Sequence, residues 1–464
     1  VDPFLQLAAQ GAMIDRLSSD SRRCAPGVAF LAYPGETSDG RAHIGDALAR
    51  GAAAVLWEKK GFDWRSEWRV ANHPVEGLKH QASALAHEFY GRPSESLWVC
   101  GVTGTNGKTS CSQWIAALIE KAAVIGTLGA GFPGALSAAT NTTPDAVEIQ
   151  FLLKSFLERG AKAVSMEVSS HGLVQGRVSG VRFACALFTN LSHDHLDYHG
   201  SMAAYAAAKA RLFEMPGLKA AVLNLDDALG IELARRLSGR VHTIGYSLSP
   251  RDVPVDEAIV AGRHVDPASL PVLGRFNVAN ALGVLGCLVA KGIPVEEGAR
   301  RLATLPPVPG RMQALGKRPL VVIDYAHTPD ALENVLQALR PVAAARGGRL
   351  AVVFGAGGDR DPSKRAPMGA IASRLADRVL VTSDNPRSED PLAIIREIER
   401  GIPGAHEVEA DRARAIESVI SSSKKDDVVL IAGKGHETYQ EIAGRRLHFS
   451  DEEQARAALA RRGR

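Results

Sequence analysis

The sequence predicts an α/β protein of three domains, and three observations carry that prediction. The chain has 464 residues, too many for one core at roughly 150 residues per domain. Two seams rich in proline and glycine, Tyr90-Gly91-Arg92-Pro93-Ser94 and Pro306-Pro307-Val308-Pro309-Gly310, cut it into 1–91, 92–306 and 307–464. Within the pieces, short apolar runs alternate with helical stretches, the pattern of parallel sheets covered on both faces.

In the first piece, strands at Val28–Tyr33 and Ala53–Trp57 flank a helix Ile44–Arg50 closed by Gly51, and a helix Leu78–Phe89 leads to the first seam. This is a small α/β unit. The middle piece sets strands Leu97–Val102, Ala163–Val168, Cys185–Thr189 and Ala220–Asn224 among helices Lys108–Lys121, Ala146–Arg159 and Met202–Phe213. The last piece reads as a Rossmann-like, doubly wound domain. Its strands are Leu320–Ile323, Leu350–Phe354, Arg378–Val381 and Val428–Ile431, with helices Asp330–Leu339, Lys364–Leu375, Pro391–Arg400 and Asp411–Ser421. Just past these four strands lie Asp324–His327, Gly355–Arg360, Ser383–Arg387 and Gly433–Glu437. Ligands of open parallel sheets bind outside the carboxyl ends of the strands, so the four loops predict one crevice.

Composition narrows the function. With 55 Lys+Arg against 51 Asp+Glu the net charge is only +4, too even for a nucleic-acid coat or a polybasic membrane anchor. The five cysteines, Cys24, Cys100, Cys111, Cys185 and Cys287, never fall in a C-x-x-C pair and indicate neither a disulfide framework nor a zinc site. No apolar run approaches membrane-spanning length and no basic-then-apolar leader opens the chain. The expected compartment is the cytoplasm. The expected partners are small molecules, with no nucleic acid or membrane, and the chain is expected to act as a monomer.

The most telling motif is Gly104-Thr105-Asn106-Gly107-Lys108-Thr109, between an apolar strand and a helix. Glycines let backbone N–H groups converge on a phosphate, the helix N-terminus adds positive potential, Lys108 bridges phosphate oxygens and Thr109 can hold Mg²⁺. The match to G-x-x-x-x-G-K-[ST] is imperfect, since Val102 occupies the first glycine position. The central domain is thus P-loop ATPase-like. Glu167 ends an apolar strand, where a lone carboxylate is costly; either a cation or a buried arginine is its expected partner. His193, Asp194, His195, Asp197 and His199 follow the next strand. Their spacing suits no tetrahedral zinc site well and is ambiguous by itself.

Taken together, Thr103–Thr109, Glu167-Val168-Ser169-Ser170-His171, Asn190–Asp197 and Tyr205-Ala206-Ala207-Ala208-Lys209 resemble the central domain of the Mur ligases, which build the peptide of bacterial cell-wall precursors. Asp20-Ser21-Arg22 with Gly35 through Gly40 is similar to that family's uracil-binding half, and Asp324–His327 and Gly433–Glu437 match its last domain. The resemblance implies an ATP site of Gly104, Thr105, Asn106, Gly107, Lys108, Thr109, Asn280, Arg311 and Asp324. It implies a UDP-sugar-peptide site of Ser19, Ser21, Thr37, Asn141, Thr142, Thr143, Ser169, Gln175 and Arg177. It further implies catalysis by Lys108, Glu167, His195 and Lys209, the lysine as a CO₂-derived carbamate. Two Mg²⁺ ions would be held, one by Thr109 and Glu167, the other by Glu167, His195 and carbamylated Lys209. A carbamate offers oxygens where an ammonium would repel the metal; without the family, Lys209 reads as a solvated helix lysine.

Asp384-Asn385-Pro386-Arg387 resembles the motif of the family members that add meso-diaminopimelate. That resemblance implies a binding set of Arg360, Asp384, Asn385, Arg387, Gly433 and Glu437. The chemistry agrees: diaminopimelate carries a carboxylate where lysine has a bare ammonium, and arginine grips carboxylates in pairs of charge-assisted bonds. The implied reaction joins meso-diaminopimelate to UDP-N-acetylmuramoyl-L-alanyl-D-glutamate through an acyl phosphate, with domains closing about the seam at 306–310. The alternatives are a lysine-adding or broad-specificity relative, a folylpolyglutamate synthetase-like ligase, and a nucleotide-driven switch.

Overall fold

β-Branched and other apolar runs build three separate sheets in the protein, a computed structural model that describes residues 2–36, 38–139 and 141–462. The first sheet is parallel, with β1 (Arg16–Ser18), β2 (Val28–Ala32), β3 (Ala54–Glu58) and β4 (Ala71–Val75) side by side in that order. β2 and β3 are buried along their whole length and are the two legible in sequence. β1 has only three residues, and half-buried β4 holds Pro74, tolerable on an edge strand.

The second sheet contains β5 (Trp98–Thr103), β6 (Ala122–Gly126), β7 (Gly129–Phe132), β8 (Ala135–Ser137), β9 (Ala163–Glu167), β10 (Cys185–Phe188), β11 (Ala220–Asn224), β12 (His242–Ser247) and β13 (Glu257–Val260). Their order is β13-β12-β11-β10-β5-β9-β6-β7-β8. All pairings are parallel except β6–β7 and β7–β8, so the expected parallel sheet ends in an antiparallel edge. The helix from Lys108 stops at Leu118, three residues short of the expected end, because the chain must extend into β6.

The third sheet, β14 (Gln313–Leu315), β15 (Leu320–Asp324), β16 (Leu350–Phe354), β17 (Arg378–Val381), β18 (Glu407–Val408) and β19 (Val428–Ala432), has the order β14-β15-β19-β16-β17-β18. Only β14 is antiparallel to its neighbour. Helices Pro329–Ala345, Arg365–Leu375 and Pro391–Glu399 cover one face through Leu336, Met368 and Ile394; Arg412–Ser422 and Asp451–Arg462 cover the other through Ile416 and Ala455. The domain is doubly wound, as expected. The first of these helices runs past the expected end at Leu339 and through Pro341. The proline forfeits one backbone bond, yet burial of Ala343 beyond it carries the helix on. A hairpin, β20 (Tyr439–Ile442) with β21 (Arg445–His448), follows β19.

All five cysteines are free and buried. Cys100, Cys185 and Cys287 are far apart in sequence, yet their Sγ atoms lie within 4.8 Å of one another in the central core. Among the described residues no helix is long and apolar enough to cross a membrane.

Candidate functional site

The glycine loop is shaped by what stands behind it. At Gly104 a Cβ would lie 1.8 Å from the Thr189 hydroxyl, and at Gly107, with φ +86°, it would lie 2.5 Å from Oδ1 of Asn280. Only glycine fits either place. Asn190, after β10, pins the loop: its carbonyl accepts from the Thr105 N–H at 2.8 Å and its side-chain oxygen from the Asn106 N–H at 2.9 Å. Lys108, at the start of its helix, donates to the Gly104 and Thr105 carbonyls, both at 2.9 Å. Burial holds its pKa below the usual lysine range.

Glu167, at the end of β9, is fully buried. Its protein partners are threonines, not the buried arginine that was one of the two expectations from sequence. Oε2 accepts from the hydroxyls of Thr109 at 3.1 Å and Thr127 at 3.0 Å, and Oε1 from the Thr127 N–H at 2.8 Å. Thr127 has no place in the sequence reading, because nothing in the turn after β6 marks it. Lys209 is 1% exposed, contrary to the solvated lysine that its sequence alone suggests. Its Nζ donates to the Gly104 carbonyl at 2.7 Å and lies 4.3 Å from the centre of the Tyr205 ring. Burial, then the charge of Lys108, holds its pKa well below normal.

Among the described residues, no three His, Asp or Glu ligand atoms of the 193–199 run gather within metal-binding distance of one another. His193 is exposed and His195 lies partly open beside Asp194, while the His199 ring nitrogen sits 2.9 Å from the Ser170 hydroxyl. The rings of Tyr198, His195 and His199 pack around His171 at 4.1, 4.9 and 5.5 Å. Burial, and then His195 and His199, push His171 down to about 4.

Three clefts meet at this centre. The first cleft is lined by Asn106, Gly107, Asn277, Asn280, Arg311, Asp324 and Asp330 among others. Arg311 lies over the Tyr325 ring and donates to the Thr109 hydroxyl at 3.2 Å. Its buried Nε has no partner among the described residues, an orphan donor of the kind an anionic ligand satisfies. Asp324 lines the cleft, but both its oxygens already accept backbone N–H groups, from Met312 at 2.7 Å and Ala326 at 2.8 Å. Asp330, unmarked in sequence, accepts from Asn106 and Ser192 of the central domain.

A second cleft is lined by Lys108, Asn141, Thr142, Thr143, Ser169, Arg177, His195 and Lys209. Arg177 donates to the Thr143 carbonyl at 2.7 Å and to Gln175 at 2.9 Å, and Thr143 bonds Ser169 at 3.1 Å. Ser19 and Ser21 follow β1 in the first domain and do not line this cleft. Thr37 lies outside the described residues.

The third cleft, about 430 Å³, joins the histidine run to all four loops of the last sheet and contains Arg360, Asp384, Asn385, Arg387, Gly433 and Glu437. Arg387 has φ +54°, a costly backbone for a residue with a side chain. The β20–β21 hairpin holds it there, exchanging N–H and carbonyl bonds with Glu441 and Ala443. Its guanidinium donates to the Gly358 carbonyl at 2.7 Å, while Arg360 is exposed at the rim. Glu437 and Asp384, both in the expected binding set, face a buried lysine that sequence reasoning missed. Lys434, 0% exposed, donates to Glu437 at 3.0 Å and Asn385 at 2.9 Å and lies 3.7 Å from Asp384. Asp194, His195, Tyr325 and His327 line both this crevice and the cavity of Lys108, Thr109 and Glu167.

Three family models match in sequence order: Mur ligase family, catalytic domain, over residues 13–90; Mur ligase middle domain over 102–288; and Mur ligase, glutamate ligase domain, over 310–435. The chain is 51% identical over 476 residues to UDP-N-acetylmuramoyl-L-alanyl-D-glutamate–2,6-diaminopimelate ligase of Pseudomonas aeruginosa, covering 98% of this chain and 96% of that one. It is 50% identical over 482 residues to the enzyme of the same name from Chromobacterium violaceum, covering 100% and 97%. A solved structure of a ligase of that name aligns with a TM-score of 0.65 at 36% identity, covering 97% of this chain and 96% of that one.

Proposed function

This chain belongs to the Mur ligase family, and from that footing we infer its reaction: it joins meso-diaminopimelate to UDP-N-acetylmuramoyl-L-alanyl-D-glutamate with consumption of ATP. One observation supports this reading above others. The phosphate-loop cavity and the Arg387 crevice share the walls formed by Asp194, His195, Tyr325 and His327, so a phosphorylated carboxylate and an amine can meet there. A nucleotide-driven switch has no need of the second crevice.

In the proposed sequence, the D-glutamyl carboxylate of the nucleotide-sugar dipeptide, held by Thr143, Ser169 and Arg177, attacks the γ-phosphorus of ATP. Lys108 and Arg311 supply positive charge where carboxylate and triphosphate would repel each other. The acyl phosphate so formed passes to the amine of diaminopimelate, whose distal carboxylate is gripped by Arg387 and Arg360. Uracil recognition falls to the first domain, at Ser19, Ser21 and Thr37. We take 1–91, 92–306 and 307–464 as the three functional units, with the proline seam as hinge, and place the enzyme where its nucleotide substrates are, in the cytoplasm.

The residues present fit Mg²⁺ and a lysine carbamate. Thr109, Thr127 and Glu167 form an oxygen-only donor set of the kind hard cations take. Lys209, buried with one carbonyl partner, is a poorly compensated ammonium and fits better as a carbamate. Thr109, Glu167, His195 and carbamylated Lys209 are the proposed ligands of two Mg²⁺ ions, which would neutralise charge between carboxylate and phosphate.

The test is phosphate release with ATP, Mg²⁺ and the UDP-dipeptide, comparing meso-diaminopimelate with L-lysine and L-ornithine. The expected result is release with diaminopimelate alone; equal rates with lysine would defeat the role given to Arg387.

A further inference from the structure

Amide formation needs a group that the residues above do not supply. An amine attacking an acyl phosphate becomes cationic and acidic, and its extra proton must leave for the bond to hold. We propose that His327 is the base that takes this proton, an inference that rests on the ligase reading above.

The geometry points to this residue among several. His327 lies in the turn after β15 and lines both the amino-acid crevice and the phosphate-loop cavity, which is the position the attacking nitrogen must occupy. Its Nδ1 is 2.8 Å from the Tyr325 carbonyl oxygen. A carbonyl can only accept, so Nδ1 carries the hydrogen and the lone pair is on Nε2. The charged groups around it come from different elements: Asp194 from the loop after β10, Lys364 from the turn before Arg365–Leu375, and Arg311 from just past the seam. Burial, reinforced by Lys364 and Arg311, holds the ring pKa below its ordinary value, so it is neutral and able to accept at physiological pH. The rival groups are engaged elsewhere. Asp194 accepts from the His195 N–H at 2.9 Å, His171 is packed at a tilt against Tyr198, and His193 is exposed.

The step balances as follows. Diaminopimelate reacts as the neutral amine, one ammonium proton having passed to solvent. The nitrogen lone pair forms the C–N bond, and a proton passes from that nitrogen to Nε2 of His327. The tetrahedral centre then collapses, the C–O bond to phosphorus-bearing oxygen breaks, and the imidazolium returns the proton to the departing phosphate, released as hydrogen phosphate.

The experiment separates the two half-reactions. Hydroxylamine, neutral near pH 7, attacks acyl phosphates without a base and converts the intermediate to a hydroxamate. His327→Asn keeps a donor for the Tyr325 carbonyl and lacks Nε2; His327→Gln lacks Nδ1. For both variants, tripeptide formation should fall about 100-fold, the lower range for loss of a general base. The KM for ATP and diaminopimelate should stay within about threefold, as loss of a group that acts in the transition state predicts. Hydroxamate formation in the absence of amino acid should match the unmodified enzyme. A parallel loss of hydroxamate, or an unchanged tripeptide rate, would overturn the proposal. Absence of hydroxamate with the unmodified enzyme would instead sink the acyl-phosphate reading, and this step with it.

Discussion

The Nζ atoms of Lys108 and Lys209 both donate to the carbonyl oxygen of Gly104, at 2.9 and 2.7 Å. Two ammonium groups on one carbonyl, that of Lys209 buried and that of Lys108 half-buried, are an electrostatically unfavourable arrangement. Burial holds both pKa values down, and the charge of Lys108 adds to the effect on Lys209. The unfolded chain therefore binds more protons than the folded one, and stability rises with pH from the depressed value of Lys209 up to the ordinary lysine value of about 10.4. In CO₂-free buffer, Lys209→Met should gain about 1 kcal/mol of unfolding free energy at pH 7, since a poorly compensated buried ammonium is replaced by an apolar group. The same variant should lose ligase activity by at least about 100-fold. Thermal melts between pH 6 and 10 check the first claim; a less stable variant at pH 7 would contradict it.

Glu167→Gln keeps an acceptor for the Thr127 N–H but removes the charge that gathers the Thr109 and Thr127 hydroxyls. Phosphate transfer should fall roughly 100- to 1,000-fold, the range for losing one electrostatic contact at a developing charge. The fold should survive. Steady-state phosphate release alongside circular dichroism distinguishes this from unfolding.

Arg387→Ala should raise the KM for diaminopimelate by about 10- to 100-fold, the equivalent of one charge-assisted contact. The KM for ATP should not change. Discrimination against lysine should weaken too, because its ammonium no longer meets a positive wall. If both KM values rise together, Arg387 supports closure rather than binding.

Asp330 bonds Asn106 at 3.2 Å and Ser192 at 2.9 Å, tying the last domain to the phosphate loop. If domain closure gates the reaction as proposed, Asp330→Ala should leave ATP affinity within a few-fold and lower kcat about 10-fold. Titration calorimetry and steady-state kinetics on one preparation decide it. Unaltered kcat would mean these contacts have no part in closure.

Arg412 and Asp451 form a fully buried pair with two bonds of 2.7 Å, and Arg412 also donates to the carbonyls of Ser383 and Ala432. The pair therefore braces two of the crevice loops from behind. Asp451→Asn leaves a buried guanidinium uncompensated and should cost about 3–5 kcal/mol. Urea unfolding measures the loss directly.

The sequence by itself determined most of the architecture and the class of chemistry. Mostly apolar strands such as β5, β9 and β19 announce themselves, because burial on both faces leaves room for few polar residues. The glycine loop is equally legible, since Gly104 and Gly107 stand where any side chain would collide with Thr189 or Asn280. What sequence could not show are weak elements held by neighbours: the three-residue β1, edge strand β4 and the β7–β8 hairpin have no pattern of their own.

Side-chain partnership was decided by tertiary structure alone. Thr127 and Thr109 are the partners of Glu167, Lys434 sits beneath Asn385 and Glu437, and Asp330 reaches back to Asn106 across 224 residues of chain. Lys209 reads in sequence as one more helix lysine, and only packing against Tyr205 and Gly104 buries it. The reason is physical. Backbone conformation and apolar burial follow from local residue type, whereas a polar side chain's partner depends on which distant loops the sheet edge brings within about 3 Å, the reach of a hydrogen bond.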